Sequence, residues 1–414
     1  MRVRGSATEL KNILDSIERS RDSMINVMSE MIRIPAIAPI NGGTGETKRA
    51  DMLERYLEGY DSVIRVDSRD DHDPGVMRPN ILARKNGKEK GTVWIVAHMD
   101  TVPAGNLEDW ETDPFEPVVK DGKIYGRGTE DNGQAIISSM FASKFIPKEA
   151  LSKRSVGIAY VADEETTSRM GIEYLIKRGY FSDDDVFIVP DWGTPEGDLI
   201  DVAEKNLLWL QFSVTGKSTH GSTPEKGINA FKAGTGFLTD LIAEFGKEFP
   251  REDCMFRPGV STFEPTKCAG TVMNVNTIPG NFEFSMDIRA LPEYRLDDIV
   301  AVAERVAEKH EKKTGARIDI RELQRHDSGR ISSTRGAVFD SLIDSIESVT
   351  GVRPKPAGIG GATCANFFRK EGYDAYVWEC GGGTLHGPNE YVMIDNMVTD
   401  AKVFASMFYK LCVG

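Results

Sequence analysis

The chain has few cysteines, no long apolar run and no excess of basic residues, and each absence excludes a class of protein. Its five cysteines are an odd number with no CxxC pair, so free thiols in a reducing compartment are the simplest interpretation. No segment reaches the roughly 18 apolar residues that a membrane helix needs. The N-terminus also lacks the apolar stretch of a secretory signal. We therefore expect a cytoplasmic protein with no membrane partner.

The charge balance excludes a second class. The chain carries 51 Lys and Arg against 64 Asp and Glu, a formal net charge of −13. A general nucleic-acid binder needs a basic surface to neutralise phosphates, so we expect no nucleic-acid partner.

At 414 residues the chain exceeds the usual size of a single hydrophobic core, which favours two domains.

Short apolar runs alternate with helical patterns in the first half of the chain. They are Asn80–Ala83, Val93–Ala97, Val156–Ala162 and Val186–Val189. Continuous runs of this kind are typical of strands that are buried on both faces of a mostly parallel sheet. We therefore predict an α/β domain with a mostly parallel sheet and helices on both faces.

The middle of the chain predicts a different architecture. Strand and helix patterns follow one another in the order β-α-β-β-α-β, over 209–214, 228–249, 261–264, 282–290, 299–307 and 317–323. This order is typical of a ferredoxin-like α+β unit. We predict that residues 208–324 form such a domain, inserted into a discontinuous catalytic domain of residues 1–207 and 325–414.

A histidine and an aspartate directly follow the apolar run Val93–Ala97, in the sequence His98-Met99-Asp100. A metal-bound histidine needs an acceptor for its other ring nitrogen, and a nearby carboxylate can supply it. A hydrogen-bonded histidine at a strand end is the alternative interpretation. This short motif alone does not decide between them.

Acidic residues occupy two further segments. Asp131 lies in the glycine-rich stretch 125–133, directly before a helical pattern. The ordinary role of an aspartate at such a position is to cap the helix, and the alternative is to bridge two cations. The glycines there do not have the G-x-G-x-x-G spacing, and no clear strand precedes them, so a dinucleotide loop is disfavoured. Asp163, Glu164 and Glu165 repel one another unless they face solvent or a cation.

Two more candidates complete a possible ligand set. Asp191 follows the run Val186–Val189, and His386 lies in the glycine-rich segment 381–390. With the earlier residues they supply imidazole and carboxylate ligands for two cations about 3.5–4 Å apart. Glu164 would then be free to take a proton from water. Three further histidines are expected to be solvated: His72 and His326 lie in polar stretches, and His310 lies among Glu and Lys in the second helical pattern of the inserted domain.

Taken in order, these segments resemble the dinuclear-zinc family that includes succinyl-diaminopimelate desuccinylase, acetylornithine deacetylase, glutamate carboxypeptidase and several amino- and dipeptidases. The resemblance rests on HMDTVP, GRGTEDNG, DEE and HGPNE, and it runs from about residue 20 to the C-terminus. It implies two divalent ions, zinc with cobalt or manganese as alternatives. The implied ligands are His98, Asp131 and Asp191 for one metal, and Glu165, His386 and the shared Asp131 for the other.

The resemblance also implies roles for residues beside the metals. Asp100 would orient His98, and Glu164 would act as general base. The inserted domain would be a dimerisation lid of a homodimer, in which His220 stabilises the oxyanion in the partner subunit's site. Asn276 and Arg289 would grip the substrate, although a cap or a surface ion pair is the alternative for these two. The segment 360–364, which contains Thr363, resembles another substrate loop.

Two departures from the family pattern affect the predicted substrate. Position 191 is Asp, where deacylases and carboxypeptidases usually have Glu, and Cys364 stands where many relatives have Asp. We therefore predict a metallohydrolase that cleaves an amide bond in an N-acyl amino acid or a short peptide, and leave these two substrate classes open.

A metal-binding or scaffolding homologue without catalysis is the remaining alternative. Glu164 argues against it, because a binding site has no need of a free base.

Overall fold

The structure is a computed structural model that describes residues 2–269, 272 and 274–414. In chain order its strands are β1 (Ser62–Arg69), β2 (Met77–Lys85), β3 (Thr92–His98), β4 (Val118–Lys120), β5 (Lys123–Tyr125), β6 (Ser155–Val161), β7 (Val186–Val189), β8 (Leu199–Glu204), β9 (Asn206–Thr215), β10 (Thr219–His220), β11 (Thr262–Ala269), β12 (Thr277–Ile278), β13 (Asn281–Ala290), β14 (Arg317–His326), β15 (Lys355–Ile359), β16 (Ala375–Val377) and β17 (Tyr391–Met393). Its α-helices are α1 (Arg2–Arg19), α2 (Arg21–Ile32), α3 (Thr47–Glu54), α4 (Ala135–Lys144), α5 (Ile172–Lys177), α6 (Ala230–Glu248), α7 (Leu296–Thr314), α8 (Ala337–Thr350), α9 (Cys364–Lys370) and α10 (Ile394–Cys412).

The chain forms two compact units, which we call unit 1 and unit 2. Unit 1 comprises Met1–Val202, Arg330–Ala357 and Thr363–Gly414, and unit 2 comprises Ala203–Gly329 and Gly358–Ala362. Unit 2 thus begins at 203 rather than the expected 208, ends at 329 rather than 324, and takes in a short segment that the sequence analysis assigned elsewhere. That segment joins unit 2 through backbone hydrogen bonds from Gly358 N to Met255 O and from Lys205 N to Ile359 O.

The large sheet has eight strands in the order β1-β2-β6-β3-β7-β16-β8-β15. Its centre is parallel, because β6, β3, β7 and β16 pair in the same direction, whereas β1, β2 and β8 pair antiparallel at the flanks. All seven residues of β3 and all seven of β6 are buried, as the apolar runs predict. The predicted α/β architecture is therefore confirmed.

One helix of unit 1 is buried along almost its whole length. Every residue of α4 except Lys144 is buried, and its serine hydroxyls donate to carbonyl oxygens of the preceding turn. The loop before α4 follows the three-residue strand β5, contrary to the expectation that no strand leads into it. This strand belongs to a small antiparallel sheet with β4 and β17, not to a β-α-β unit. None of the described helices is both long and apolar enough to cross a membrane.

Unit 2 contains the predicted β-α-β-β-α-β order. Its antiparallel four-stranded sheet runs β11-β13-β9-β14, and α6 and α7 supply apolar residues to the same core. Gly315 ends α7 in the left-handed conformation, with φ of 74°, which favours glycine at a helix C-terminus. His310 was expected to be solvated, and this prediction is wrong. Its ring is buried near Phe237, and Nε2 lies 2.7 Å from Asp240 Oδ2.

Candidate metal centre

The predicted residues gather at the carboxyl ends of three neighbouring strands. His98 is the last residue of β3, Glu164 and Glu165 follow β6, and Asp191 follows β7. Because β6, β3 and β7 are adjacent and parallel, their carboxyl ends meet at one edge of the sheet. This edge is where open α/β sheets place their sites.

Asp131 lies between the two predicted histidine ligands. Its Oδ1 is 2.8 Å from His98 Nε2, and its Oδ2 is 3.0 Å from His386 Nε2. Asp131 does not cap α4, because that helix begins at Ala135 after Gln134. The capping alternative is therefore wrong, and the carboxylate presents one oxygen to each side of the cluster.

Each histidine has a second carboxylate beside it. His98 Nε2 is 3.3 Å from Asp191 Oδ1, and His386 Nε2 is 3.0 Å from Glu165 Oε2. The structure therefore brings all five predicted ligands together, in two groups that share Asp131. Candidate ligand atoms of His98, Asp131 and Glu165 lie within 4.8 Å of one another, as do those of His98, Glu164 and Asp191.

The chemistry of this donor set fits divalent cations. Glu165 Oε1 is buried and has no hydrogen-bond partner in the described part of the chain. Burial and the nearby Asp131 raise the pKa of Glu165 to about 7. Although burial opposes protonation of His98, Asp191, Asp100 and Asp131 raise its pKa well above the usual value. Clustered oxygen and imidazole ligands of this kind suit cations. A bound cation would balance the negative charge of the carboxylates and coordinate the Glu165 oxygen that has no hydrogen-bond partner.

Asp100 has a different set of contacts from the one expected. Its backbone oxygen is 3.0 Å from His98 Nδ1, whereas its carboxylate Oδ1 is 3.6 Å away. The carboxylate instead accepts the backbone N–H groups of Glu164 and Glu165, each at 3.1 Å. The carbonyl thus lies closer to His98 than the carboxylate does, and the carboxylate holds the acidic turn after β6.

Glu164 lies beside the group formed by His98 and Asp191. Its carboxylate accepts no hydrogen bond from the residues that the structure describes, whereas its backbone N–H is held by Asp100. Burial and the neighbouring Asp191 raise the pKa of Glu164 well above its usual value. An acidic side chain without a local partner, next to candidate metal ligands, is suited to proton transfer.

Residues 94–410 match peptidase family M20/M25/M40. The chain belongs to this family. It is 35% identical over 411 residues to an uncharacterized metallohydrolase of Methanocaldococcus jannaschii, with 94% of this chain and 99% of the relative covered. It is 25% identical over 386 residues to the succinyl-diaminopimelate desuccinylase of a Sulfurovum strain, with 92% and 97% covered.

The fold of the M20/M25/M40 chain is also found in a solved structure. The di-peptidase Dug1p of Saccharomyces cerevisiae superposes with a TM-score of 0.75 at 17% identity, and 97% of this chain and 98% of that one are covered. Family membership makes this protein a metal-dependent hydrolase that acts on amide bonds, and the donor set described above fits the divalent metal ions of such an enzyme.

Three residues that support this M20/M25/M40 site could not be identified from sequence. Asn132 accepts from His98 N at 3.3 Å and donates to Asp191 Oδ1 at 3.0 Å, so it ties together the ends of β3 and β7. Glu130 and Glu390 bind backbone N–H groups of the loops that carry His386 and Asp131. The only signal in the sequence is the density of acidic and amide residues in TEDNG (129–133) and NE (389–390). This density does not identify the groups to which these side chains bind.

The predicted substrate residues of unit 2 fall in two places. His220 in β10 pairs with Thr277 in β12, and Gly221 N donates to Asn276 O, so His220 and Asn276 are neighbours. Arg289 lies in β13, where it donates to Asp287 and, at 2.7 Å, to Gly360 O. These contacts match the ion-pair alternative for Arg289, and its substrate role stays a prediction.

Thr363 belongs to unit 1, at the start of α9. Its side-chain oxygen accepts from Ala365 N at 3.1 Å, so it caps the helix. The next residue, Cys364, is buried, and burial together with Glu164 raises the pKa of its thiol well above the usual value. Thr363 therefore has a local structural role, and its substrate role stays a prediction.

Proposed function

We propose that this protein uses a pair of divalent cations to hydrolyse the amide bond of an N-acyl amino acid or a short peptide. Zinc is the expected metal, with cobalt or manganese as alternatives. The observation that carries the proposal is the position of Asp131 between His98 and His386, with Asp191 and Glu165 on either side. Relatives that are named as a desuccinylase and a di-peptidase keep both substrate classes open.

In this proposal His98, Asp131 and Asp191 hold one ion, and Glu165, His386 and Asp131 hold the other. When bound, such a pair would supply the positive charge that lowers the pKa of the attacking water toward neutrality and polarises the carbonyl of the substrate. Glu164 accepts the proton of the attacking water and returns it to the leaving amine. Asp100 supports this step because it holds the backbone of Glu164 and Glu165 in place.

His220 is proposed to donate a hydrogen bond to the oxyanion in the site of a partner subunit. The backbone N–H of Ser222 lies 3.2 Å from His220 Nδ1, and an N–H group can only donate. Nδ1 is therefore an acceptor, and the neutral ring carries its proton on Nε2. His220 is exposed, and Nε2 has no partner among the described residues, so it is available as a donor. This role requires a homodimer, which stays a prediction. The cytoplasmic location of the protein also stays a prediction.

A substrate panel tests the proposed reaction. Metal-free protein would be supplied with zinc, cobalt or manganese and assayed against N-succinyl and N-acetyl amino acids and against free dipeptides. We expect metal-dependent release of a free amine from one of the two classes. Protein without added metal is the control. Failure of fully metal-loaded protein to hydrolyse either class contradicts the proposal.

A further inference from the structure

We propose that Glu130 is a positioning residue whose carboxylate fixes the loop that carries His386 and thereby sets this histidine against Asp131. The inference rests on the proposed function, because it takes His386 and Asp131 as ligands of the metal pair. Glu130 is not itself placed among the ligands. It acts through the backbone of the loop that follows β16.

The Glu130 carboxylate fills a cradle of backbone donors in that loop. It accepts from Gly382 N at 2.5 Å, Gly383 N at 2.7 Å and Thr384 N at 2.8 Å, and from the Thr384 hydroxyl. Successive N–H groups that converge in this way form an anion-binding nest. Glu130 is only 1% exposed, so the nest is occupied by a buried carboxylate of the chain itself.

A second carboxylate makes the reciprocal connection. Glu390, which is fully buried, accepts from Glu130 N and Asp131 N at 3.0 Å each, from Gly128 N at 2.9 Å and from Arg127 Nη1 at 2.6 Å. Each acid therefore binds the backbone of the segment that carries the other one. We call the pair Glu130 and Glu390 the carboxylate clamp.

The clamp fixes the conformation of the His386 loop, which has no regular secondary structure around His386 to hold it. No regular strand or helix contains His386, its side chain is 57% exposed, and its φ of 61° is unusual for a non-glycine residue. Its Nε2 must nevertheless stay near both Asp131 and Glu165 to share a metal with them. Groups that orient metal ligands are often worth 10- to 100-fold in metal affinity or activity.

The variant Glu130→Ala tests the clamp, with metal binding rather than turnover as the first measurement. We expect the metal-free variant to bind Co²⁺, followed by its visible absorption spectrum, with an affinity for the pair about 10- to 100-fold below that of the wild type. Since the substitution leaves the nest with its donors but no acceptor, added formate should occupy it. We expect formate to restore much of the lost Co²⁺ affinity in the variant and to leave the wild type unchanged.

Asp185→Ala is the matched control. Asp185 is also buried and also accepts four hydrogen bonds, from Thr92 N, the Trp94 indole, Ser182 N and the Ser182 hydroxyl. It precedes β7, at the end of the strand opposite to the candidate metal centre. We expect this variant to lose thermal stability and to keep wild-type Co²⁺ affinity without a response to formate.

The possible outcomes separate the clamp from the proposed function. If the wild type binds two Co²⁺ ions and Glu130→Ala binds them equally well, Glu130 does not position His386, and the proposed function stands. If the wild type binds no pair of ions, both are wrong. Should Glu130→Ala fail to fold, Glu130→Gln serves instead, because its amide presents one oxygen where the carboxylate presents two. Wild-type Co²⁺ affinity in that variant likewise overturns the clamp.

Discussion

Asp131 Oδ2 lies 3.0 Å from His386 Nε2, although one residue precedes α4 and the other follows β16. The remaining oxygen of the same carboxylate contacts His98 at the end of β3. A single side chain therefore joins segments from the first and the last third of the chain. This relationship turns separate polar residues into one candidate site.

Glu164→Gln should retain metal and lose catalysis. The amide keeps the size of the side chain but cannot accept the proton of the attacking water, so we expect kcat to fall by at least about 100-fold. Metal content and kcat would be measured on the same preparation. Glu173→Gln is the control, since Glu173 pairs with Lys177 on the surface of α5. Normal turnover by the Glu164 variant contradicts the proposed mechanism.

His220→Ala should lower kcat without changing metal content. Loss of one oxyanion donor typically lowers kcat by about 100-fold or more. Ser222→Ala should have a smaller effect, because the backbone N–H of Ser222 still fixes the tautomer of His220. His72→Ala, at an exposed position, is expected to have the wild-type rate. Equal rates for the His220 and His72 variants rule out the oxyanion role.

Arg78→Met should destabilise unit 1 strongly. Arg78 is buried with Glu46, Asp70 and Asp163, and its removal leaves three buried carboxylates without their cation. Breaking such a buried network typically costs about 3–5 kcal/mol, measured as the free energy of unfolding in urea. Arg33→Met, which removes an exposed pair with Glu116, should cost far less, because solvent screens the attraction between these two charges. Similar losses in the two variants would show that the buried network is not stabilising.

Asp400 should make the folded state less stable as the pH rises from about 4 to about 7. Burial raises its pKa from 3.8 to about 7, so in this range the unfolded chain is ionised while the folded chain still binds the proton. The unfolding free energy then falls with pH, by at most about 4 kcal/mol from this group. Urea denaturation of metal-free wild type and Asp400→Asn at several pH values measures the difference. An identical pH slope in both proteins contradicts the raised pKa.

The strand ends of the site could be predicted because their signal is local. The apolar run before His98 and the acidic residues after Val156–Ala162 identify a buried strand and the loop that follows it. Parallel pairing then brings such loops to one edge of the sheet. The order of strands and helices in unit 2 was predictable for the same reason, since each element has its own periodicity.

The supporting contacts could not be predicted because their partners are remote in sequence. Glu130 binds the N–H groups of residues 382–384, and no pattern in TEDNG identifies that loop. The Asp100 carboxylate binds the turn after β6 for a similar reason, because two donors lie closer to it than the imidazole that the sequence analysis assigned to it. His310 likewise contacts Asp240, which lies on the separate helix α6.

The number of metal ions bound per chain tests the role of Asp131 as a shared ligand. Wild type and Asp131→Ala would be dialysed to equilibrium against Zn²⁺ or Co²⁺, and the bound metal would be measured per chain. We expect two ions for the wild type and loss of tight binding of the pair in the variant, because Asp131 is shared by both groups. At most one ion per wild-type chain, or an undiminished pair in Asp131→Ala, would contradict it.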